Sequence, residues 1–306
     1  MEFKNVVFAG GGSRCAWQMG FWEGANKNNL RLSETVNYAV STSAGCAVAT
    51  ACMLDRTEEA LAYFKDMVAS NPGNVHWQNL RLGADKPVFP HIDMYRSLLE
   101  GFLSNQDLVQ LADKQLEFLL AVFPNYLPSV PGVLLAFVAY SLENRLTGAM
   151  HPTWTGKLGF RSLVKGNRDV ENISELIDIM LAASNIPPVL TTSRYKGSRV
   201  LDGGIIDSVP VHLTNKRKGM TLVLLSKQYR HPLPNDAWRI YVQPSESISI
   251  NKLDYANPKG LQAAYDLGWN DGARFALHVL RNSPGVLPVH RLNARLKVLG
   301  SEKPSR

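Results

Sequence analysis

Apolar and polar positions alternate along this chain between two regimes. The run Lys4–Ala9 is β-branched and aromatic and is closed by Gly10-Gly-Gly12, which reads as a buried strand ending in a glycine turn. From Ser13 to Asn26 the spacing becomes helical, with Cys15, Met19 and Trp22 three and four residues apart. Val36–Val40 predicts a second strand and Ser43–Leu54 the helix after it. Thr57–Ala69 predicts a further helix, with Thr57 as N-cap and Glu58 and Glu59 in the first turn. Strand, helix, strand, helix in this order implies parallel strands joined by right-handed crossovers.

The pattern changes between residues 71 and 151. Pro72, Pro87, Pro90, Pro124, Pro128 and Pro131 punctuate helical runs, notably Met94–Leu103 and Asp107–Phe123. This predicts a helical insertion on the core, with Trp77, Phe89, Phe118, Phe123 and Tyr126 available for a lid or an acyl-chain groove, or for ordinary helix packing. Core-like segments then resume. Ile173–Ala183 carries a helical apolar stripe stopped by Pro187-Pro188. Ser198–Leu201 is a short strand running into Asp202-Gly-Gly204; Thr221–Leu225 and Arg239–Val242 are two more, and Leu261–Leu280 is a long amphipathic helix. The chain reads as one α/β domain over residues 1–306, with the insertion at 71–151 and a basic tail at 282–306 holding Arg291, Arg295, Lys297, Lys303 and Arg306 against Glu302.

Composition narrows the class. With 45% hydrophobic residues in 306, global disorder is excluded. A net charge of +7 permits attraction to anionic surfaces such as phospholipid headgroups, while nucleic-acid binding would rest on charge alone, with no motif. Cys15, Cys46 and Cys52 are odd in number and form no C-x-x-C pair, so neither a disulfide framework nor a zinc site is indicated, and buried thiols suit a reducing compartment. The N-terminus runs straight into a short apolar segment and a glycine turn, unlike a secretory signal. The longest apolar stretch, Pro131–Leu142, falls short of the roughly 20 residues that span a bilayer. A cytoplasmic protein with peripheral membrane contact is expected.

The chemistry concentrates in Ala39-Val-Ser-Thr-Ser43-Ala-Gly-Cys-Ala47. An apolar run ending at a serine among small residues and followed by a helix is a strand–turn–helix elbow, which exposes the hydroxyl of Ser43. The upstream glycines supply free N–H groups for an oxyanion. A serine hydroxyl needs a base, and Asp202, released from its strand by Gly203 and Gly204, is the candidate. Taken alone, Asp-Gly-Gly is a turn signal. A Ser-Asp-His triad is the rival, since His212, His231, His278 and His290 all follow Asp202 in the required order. A dinucleotide fold fails because Cys15 occupies the third glycine position and no acidic residue ends the second strand; a phosphate loop fails for want of Gly-Lys-Ser/Thr. A non-catalytic lipid-binding protein on the same fold would have no need of the serine, the aspartate and the glycine loop together.

Gly10-Gly-Gly-Ser-Arg14, Ser41-Thr-Ser43-Ala-Gly45, Ala183-Ser-Asn-Ile-Pro-Pro188 and Asp202-Gly-Gly204 with Ile205-Ile-Asp-Ser-Val-Pro-Val211 follow one another as in patatin-like phospholipases, which the chain resembles from Phe3 to about Val211. The resemblance implies a three-layer α/β/α fold with a mainly parallel central sheet, and a Ser-Asp dyad that needs no metal or cofactor. It implies a lipid or phospholipid substrate, with Ser43 as nucleophile and Asp202 as base. It also implies an oxyanion loop at Gly10, Gly11, Gly12, Ser13 and Arg14, with the N–H groups of Gly11, Gly12 and Ser13 as donors. Arg14 would fix that loop or favour anionic headgroups. Ser41, Ala44 and Gly45 would support the elbow. Three positions depart from the family pattern: Ser41 and Cys15 stand where glycine is usual, and Ser208 where asparagine is. Modest strain is expected at Ser41 and altered local hydrogen bonding at Ser208.

Overall fold

The computed structural model describes residues 1–80, 87–127, 129–147, 150–151, 153–185 and 193–281. The Ile186-Pro187-Pro188 segment, His290 and the basic stretch 282–306 lie outside the described residues. In chain order the elements are β1 (Phe3–Phe8), α1 (Ala16–Lys27), α2 (Leu32–Thr35), β2 (Tyr38–Ser41), α3 (Gly45–Met53), α4 (Thr57–Ala69), α5 (His91–Phe102), α6 (Asn105–Gln110), β3 (Gln115–Val122), α7 (Ser129–Thr147) and α8 (Trp154–Lys157). They continue with β4 (Arg161–Gly166), α9 (Ile173–Ala183), β5 (Ser193–Tyr195), β6 (Ser198–Asp202), β7 (Met220–Leu224), β8 (Arg239–Val242) and α10 (Pro258–Arg281).

One sheet runs in the order β5-β6-β3-β2-β1-β7-β8, with β4 also paired to β3. β1, β2, β3, β7 and β8 are mutually parallel, whereas β4, β5 and β6 join by antiparallel pairings. Alternation of side chains across β1 separates two layers of core. Val6 and Phe8 face a large apolar cluster with α1, α3, α5, α9 and α10, while Val7 faces Tyr38, Val40, Val209 and Val223 on the opposite side. A third cluster, around Phe123, Ala136 and Phe160, packs α7 against the antiparallel end of the sheet. The result is a mixed, mostly parallel sheet between helical layers.

α1 and α10 approach so closely that a Cβ on Gly20 would lie 1.9 Å from the Tyr265 carbonyl oxygen, and one on Gly272 would lie 2.0 Å from that of Phe21. No described helix is long and apolar enough to cross a membrane.

Two local expectations are corrected. Asp107–Phe123 is not one helix, because after the short α6 the chain turns into β3, a strand at the middle of the sheet. Its residues Phe118 to Ala121 are wholly buried, and an apolar run buried on both faces has no alternation to betray it. Segment 71–151 therefore carries helices on either side of a core strand. In α4 the N-cap position falls on Arg56, and Thr57 instead donates its hydroxyl to Glu23 at 2.6 Å.

Candidate active site

β1 and β2 are parallel neighbours, so both release the chain at the same edge of the sheet, where ligands of open α/β folds collect. Ser41 ends β2 in register with Phe8 and Phe118. Its side chain is fully buried within the ladder, and its hydroxyl has no hydrogen-bond partner among the described residues. Two residues on, Ser43 has φ of 56°, a left-handed conformation that costs a residue with a Cβ about 1–2 kcal/mol. The turn then feeds α3, and a Cβ on Gly45 would sit 2.9 Å from the Phe8 carbonyl oxygen. Close strand–helix packing thus accounts for this glycine, and Ala44, at the N-cap position of α3, lines the cavity.

Asp202 ends β6 and is 3% exposed. Its carboxylate accepts the Gly204 N–H at 2.6 Å and the Thr42 hydroxyl at 3.5 Å, and it lines the same cavity as Ser43. Burial pushes its pKa up to about 6, against the neighbouring Ser43 hydroxyl, the Gly204 N–H, the positive charge of Lys252 and the Thr42 hydroxyl. Gly203 is required by contact: a Cβ there would lie 2.0 Å from the Leu119 carbonyl oxygen. The end of α9 holds both halves of the pair. Ser43 N–H donates to the Ala183 carbonyl at 3.2 Å, and Asp202 N–H donates to that of Asn185 at 2.9 Å.

The glycine loop does not offer all of its N–H groups. Gly10 donates to the Ser208 carbonyl at 3.0 Å and Ser13 to the Lys252 carbonyl at 2.9 Å, so of the three expected donors Ser13 is already engaged. The N–H groups of Gly11 and Gly12 carry no such bond among the described residues. Gly12 has φ of 59°, and a Cβ there would fall 1.8 Å from the Lys252 carbonyl oxygen, so the loop and the 251–254 segment brace each other. Ser208, the departure from asparagine, supports the loop through its main-chain carbonyl. Arg14 turns toward the same cavity with its Nε buried and unpartnered among the described residues. Cys15 donates its thiol to the Ala9 carbonyl, and burial raises it, Cys46 and Cys52 far above the usual thiol range. None of the three is a thiolate nucleophile.

These parts share a cavity of about 400 Å³, lined by Gly11, Gly12, Ser43 and Asp202 and walled by His91, Tyr95 and Tyr140 from α5 and α7. A narrow apolar cleft between α1, α3, α4 and α5 shares Gly12, Ala44, Tyr95 and Tyr255 with it.

Of the four histidines that follow Asp202, His290 lies outside the described residues, and His212 is engaged with another carboxylate. His151 and His212 flank a different carboxylate, Asp207, at 3.0 and 3.2 Å. Burial works against ionisation of Asp207, yet the two imidazoles and the Val209 N–H hold it below the usual carboxylate range. Among the described residues no histidine hydrogen-bonds Ser43 or Asp202; His91 gives its Nε2 to the Leu253 carbonyl at 2.9 Å. Thr42, Ser226, Lys227 and Lys252 belong to the site but have no signature in the sequence, because ordinary loop residues acquire a role only from what folds beside them.

Compared with known proteins, residues 6–214 match the sequence model of a family described as patatin-like phospholipase. No curated protein matches. Among solved structures, VipD from Legionella pneumophila aligns with a TM-score of 0.41 and 9% identity, over 98% of this chain and 75% of that one.

Proposed function

Because the chain belongs to the patatin-like phospholipase family, we propose that it is a serine acyl hydrolase of lipid esters, most specifically of glycerophospholipids, working through a Ser43–Asp202 dyad. Ser43 Oγ attacks the ester carbonyl carbon while its proton passes to the Asp202 carboxylate. The carbonyl oxygen becomes an oxyanion held by the N–H groups of Gly11 and Gly12. Collapse breaks the bond to the alcohol oxygen, which leaves with the proton from Asp202, and the acyl group remains on Ser43. Asp202 then takes a proton from water, whose oxygen attacks the acyl carbon; release of the fatty acid returns that proton to Ser43.

What supports this most is that a serine in a left-handed turn and a buried carboxylate line one cavity, the carboxylate accepting a hydrogen bond from Thr42 beside that serine and having its basicity raised toward neutrality by burial. A base of that strength matches its task near neutral pH. The acyl chain leaves the cavity along the apolar cleft at Tyr95 and Leu98. α7 turns Tyr140 into the cavity while Leu135, Val138 and Leu142 remain exposed, so this helix is the surface we assign to peripheral membrane contact. Three free, buried cysteines favour a reducing compartment, and a cytoplasmic location is part of this proposal.

The test is labelling with a fluorophosphonate, followed by mass spectrometry of the products from defined phospholipids. Wild type should be labelled at Ser43 and release fatty acid, and Ser43→Ala should do neither. Labelling or release that survives Ser43→Ala would overturn the reading.

A further inference from the structure

Three cations converge on the catalytic cavity. Arg14 comes from the glycine loop, Lys227 from the turn after β7 and Lys252 from the 251–254 segment, and Asp202 is the single carboxylate among the lining residues. Lys227 is half-buried, with its ammonium 4.8 Å from the Tyr229 ring centroid, and Lys252 stands at the mouth. None of the three enters an ion pair within 4.0 Å of a described carboxylate, and Arg14 Nε is buried without a partner. Lys227 and Lys252 also lie beyond residue 214, where the family match ends.

Grouping like charges in a partly desolvated cavity is unfavourable unless something of opposite sign completes it. The strain registers in the lysines. Burial and the neighbouring Arg14 both hold the ammonium groups of Lys227 and Lys252 below the usual lysine range, and Lys252 lowers Lys227 further. Perturbed groups of this kind cluster at functional sites. An orphan guanidinium N–H beside two ammoniums is the donor set of a phosphate site, where charge-assisted bonds are short and strong. In a glycerophospholipid the ester carbonyls and the phosphate hang from one three-carbon unit. A cavity of about 400 Å³ therefore has room for both around Ser43.

We propose that Arg14, Lys227 and Lys252 form a subsite for the headgroup phosphate, so that the protein selects glycerolipid esters with a net negative headgroup over zwitterionic or uncharged ones. The proposal rests on the acyl-hydrolase reading and extends it to substrate class. It assigns Lys227 and Lys252 to headgroup specificity, beside the effect of the Lys252 charge on Asp202.

Dihexanoyl phosphatidic acid, phosphatidylcholine and diacylglycerol, used as monomers, give the test without adsorption to a lipid surface. The expected result is a kcat/KM that favours the anionic lipid, with the preference falling about tenfold to a hundredfold in Lys227→Gln or Lys252→Gln. Lys227→Arg should restore most of it, and Lys216→Gln, an exposed change of equal charge outside the cavity, should leave it intact. Binding of the same lipids to Ser43→Ala by calorimetry gives a second readout that needs no turnover. Inorganic phosphate should compete only weakly; competition as strong as that of the lipid would make this a free-phosphate site and overturn the headgroup assignment. Hydrolysis without headgroup preference, or a preference unmoved by both lysine variants, would sink the proposal while the hydrolase stands. Headgroup-selective binding without hydrolysis would instead count against the dyad.

Discussion

Ser41 and Asp202 are registered by the same strand, β3: Ser41 pairs with Phe118 and Asp202 with Leu120, two residues farther along. Two residues of strand advance the chain by about 7 Å. Ser43 lies two residues beyond Ser41, in the turn that leaves the strand at that same edge of the sheet, and lines one cavity with Asp202. β3 is thus the ruler that brings together groups 159 positions apart in sequence, and the turn Ala183–Asn185 clamps both from the side.

The left-handed backbone at Ser43 has a stability consequence. Ser43→Gly and Ser43→Ala should both abolish fluorophosphonate labelling, but the glycine variant should be more stable than the alanine variant by about 1 kcal/mol, since only glycine adopts this conformation without steric cost. Urea denaturation measures the difference. Equal stabilities would show that the elbow is unstrained.

The pH profile follows from Asp202. Its ionised form is the base, and its acidity constant stands near 6, so kcat/KM on an uncharged soluble ester should rise through about pH 6 and be lost below it. Lys252 favours the ionised form, hence Lys252→Gln should move the limb to higher pH. A profile flat from pH 5 to 8 would remove Asp202 from the base role.

The same carboxylate lowers stability at neutral pH. Its folded-state value lies above the ordinary 3.8, so the folded chain retains a proton that the unfolded chain releases between about pH 3.8 and 6. Stability from this group is therefore full below that window and declines as pH rises through it. Asp202→Asn removes the charge and keeps an acceptor for Gly204. By calorimetry its Tm relative to wild type should be higher at pH 8 than at pH 4, with activity abolished. A relative Tm that does not change with pH would contradict the sign.

Gly11 tests the oxyanion loop. A Cβ there would lie 2.4 Å from the Ser226 side chain, which itself donates to the Gly10 carbonyl at 2.6 Å. Gly11→Ala should displace the loop and cut kcat by about 10²–10³, as loss of one oxyanion donor does. Because the clash is with a side chain, Gly11→Ala with Ser226→Gly should recover part of the rate. No recovery would place the damage elsewhere.

By itself the sequence determined the elements whose cause is local. α4, α9 and β8 appear with the boundaries that periodicity gives them, and the glycine loop, the serine elbow and the Asp-Gly-Gly turn announce themselves because their backbones require small residues. Ser43 and Asp202 as a candidate pair were legible on that basis, and the patatin-like fold from the family resemblance those motifs carry in series. Tertiary structure decided the rest. β3, buried on both faces, was indistinguishable from a helix until its neighbours were in place. Which loop amides stay free depends on the carbonyls of Ser208 and Lys252, about 200 residues away, and the positive lining of the cavity depends on two lysines that no motif marks. The physical reason is the same in each case: periodicity and turn chemistry act over a few residues, whereas strand register, hydrogen-bond competition and charge clustering are set by partners that only folding brings near.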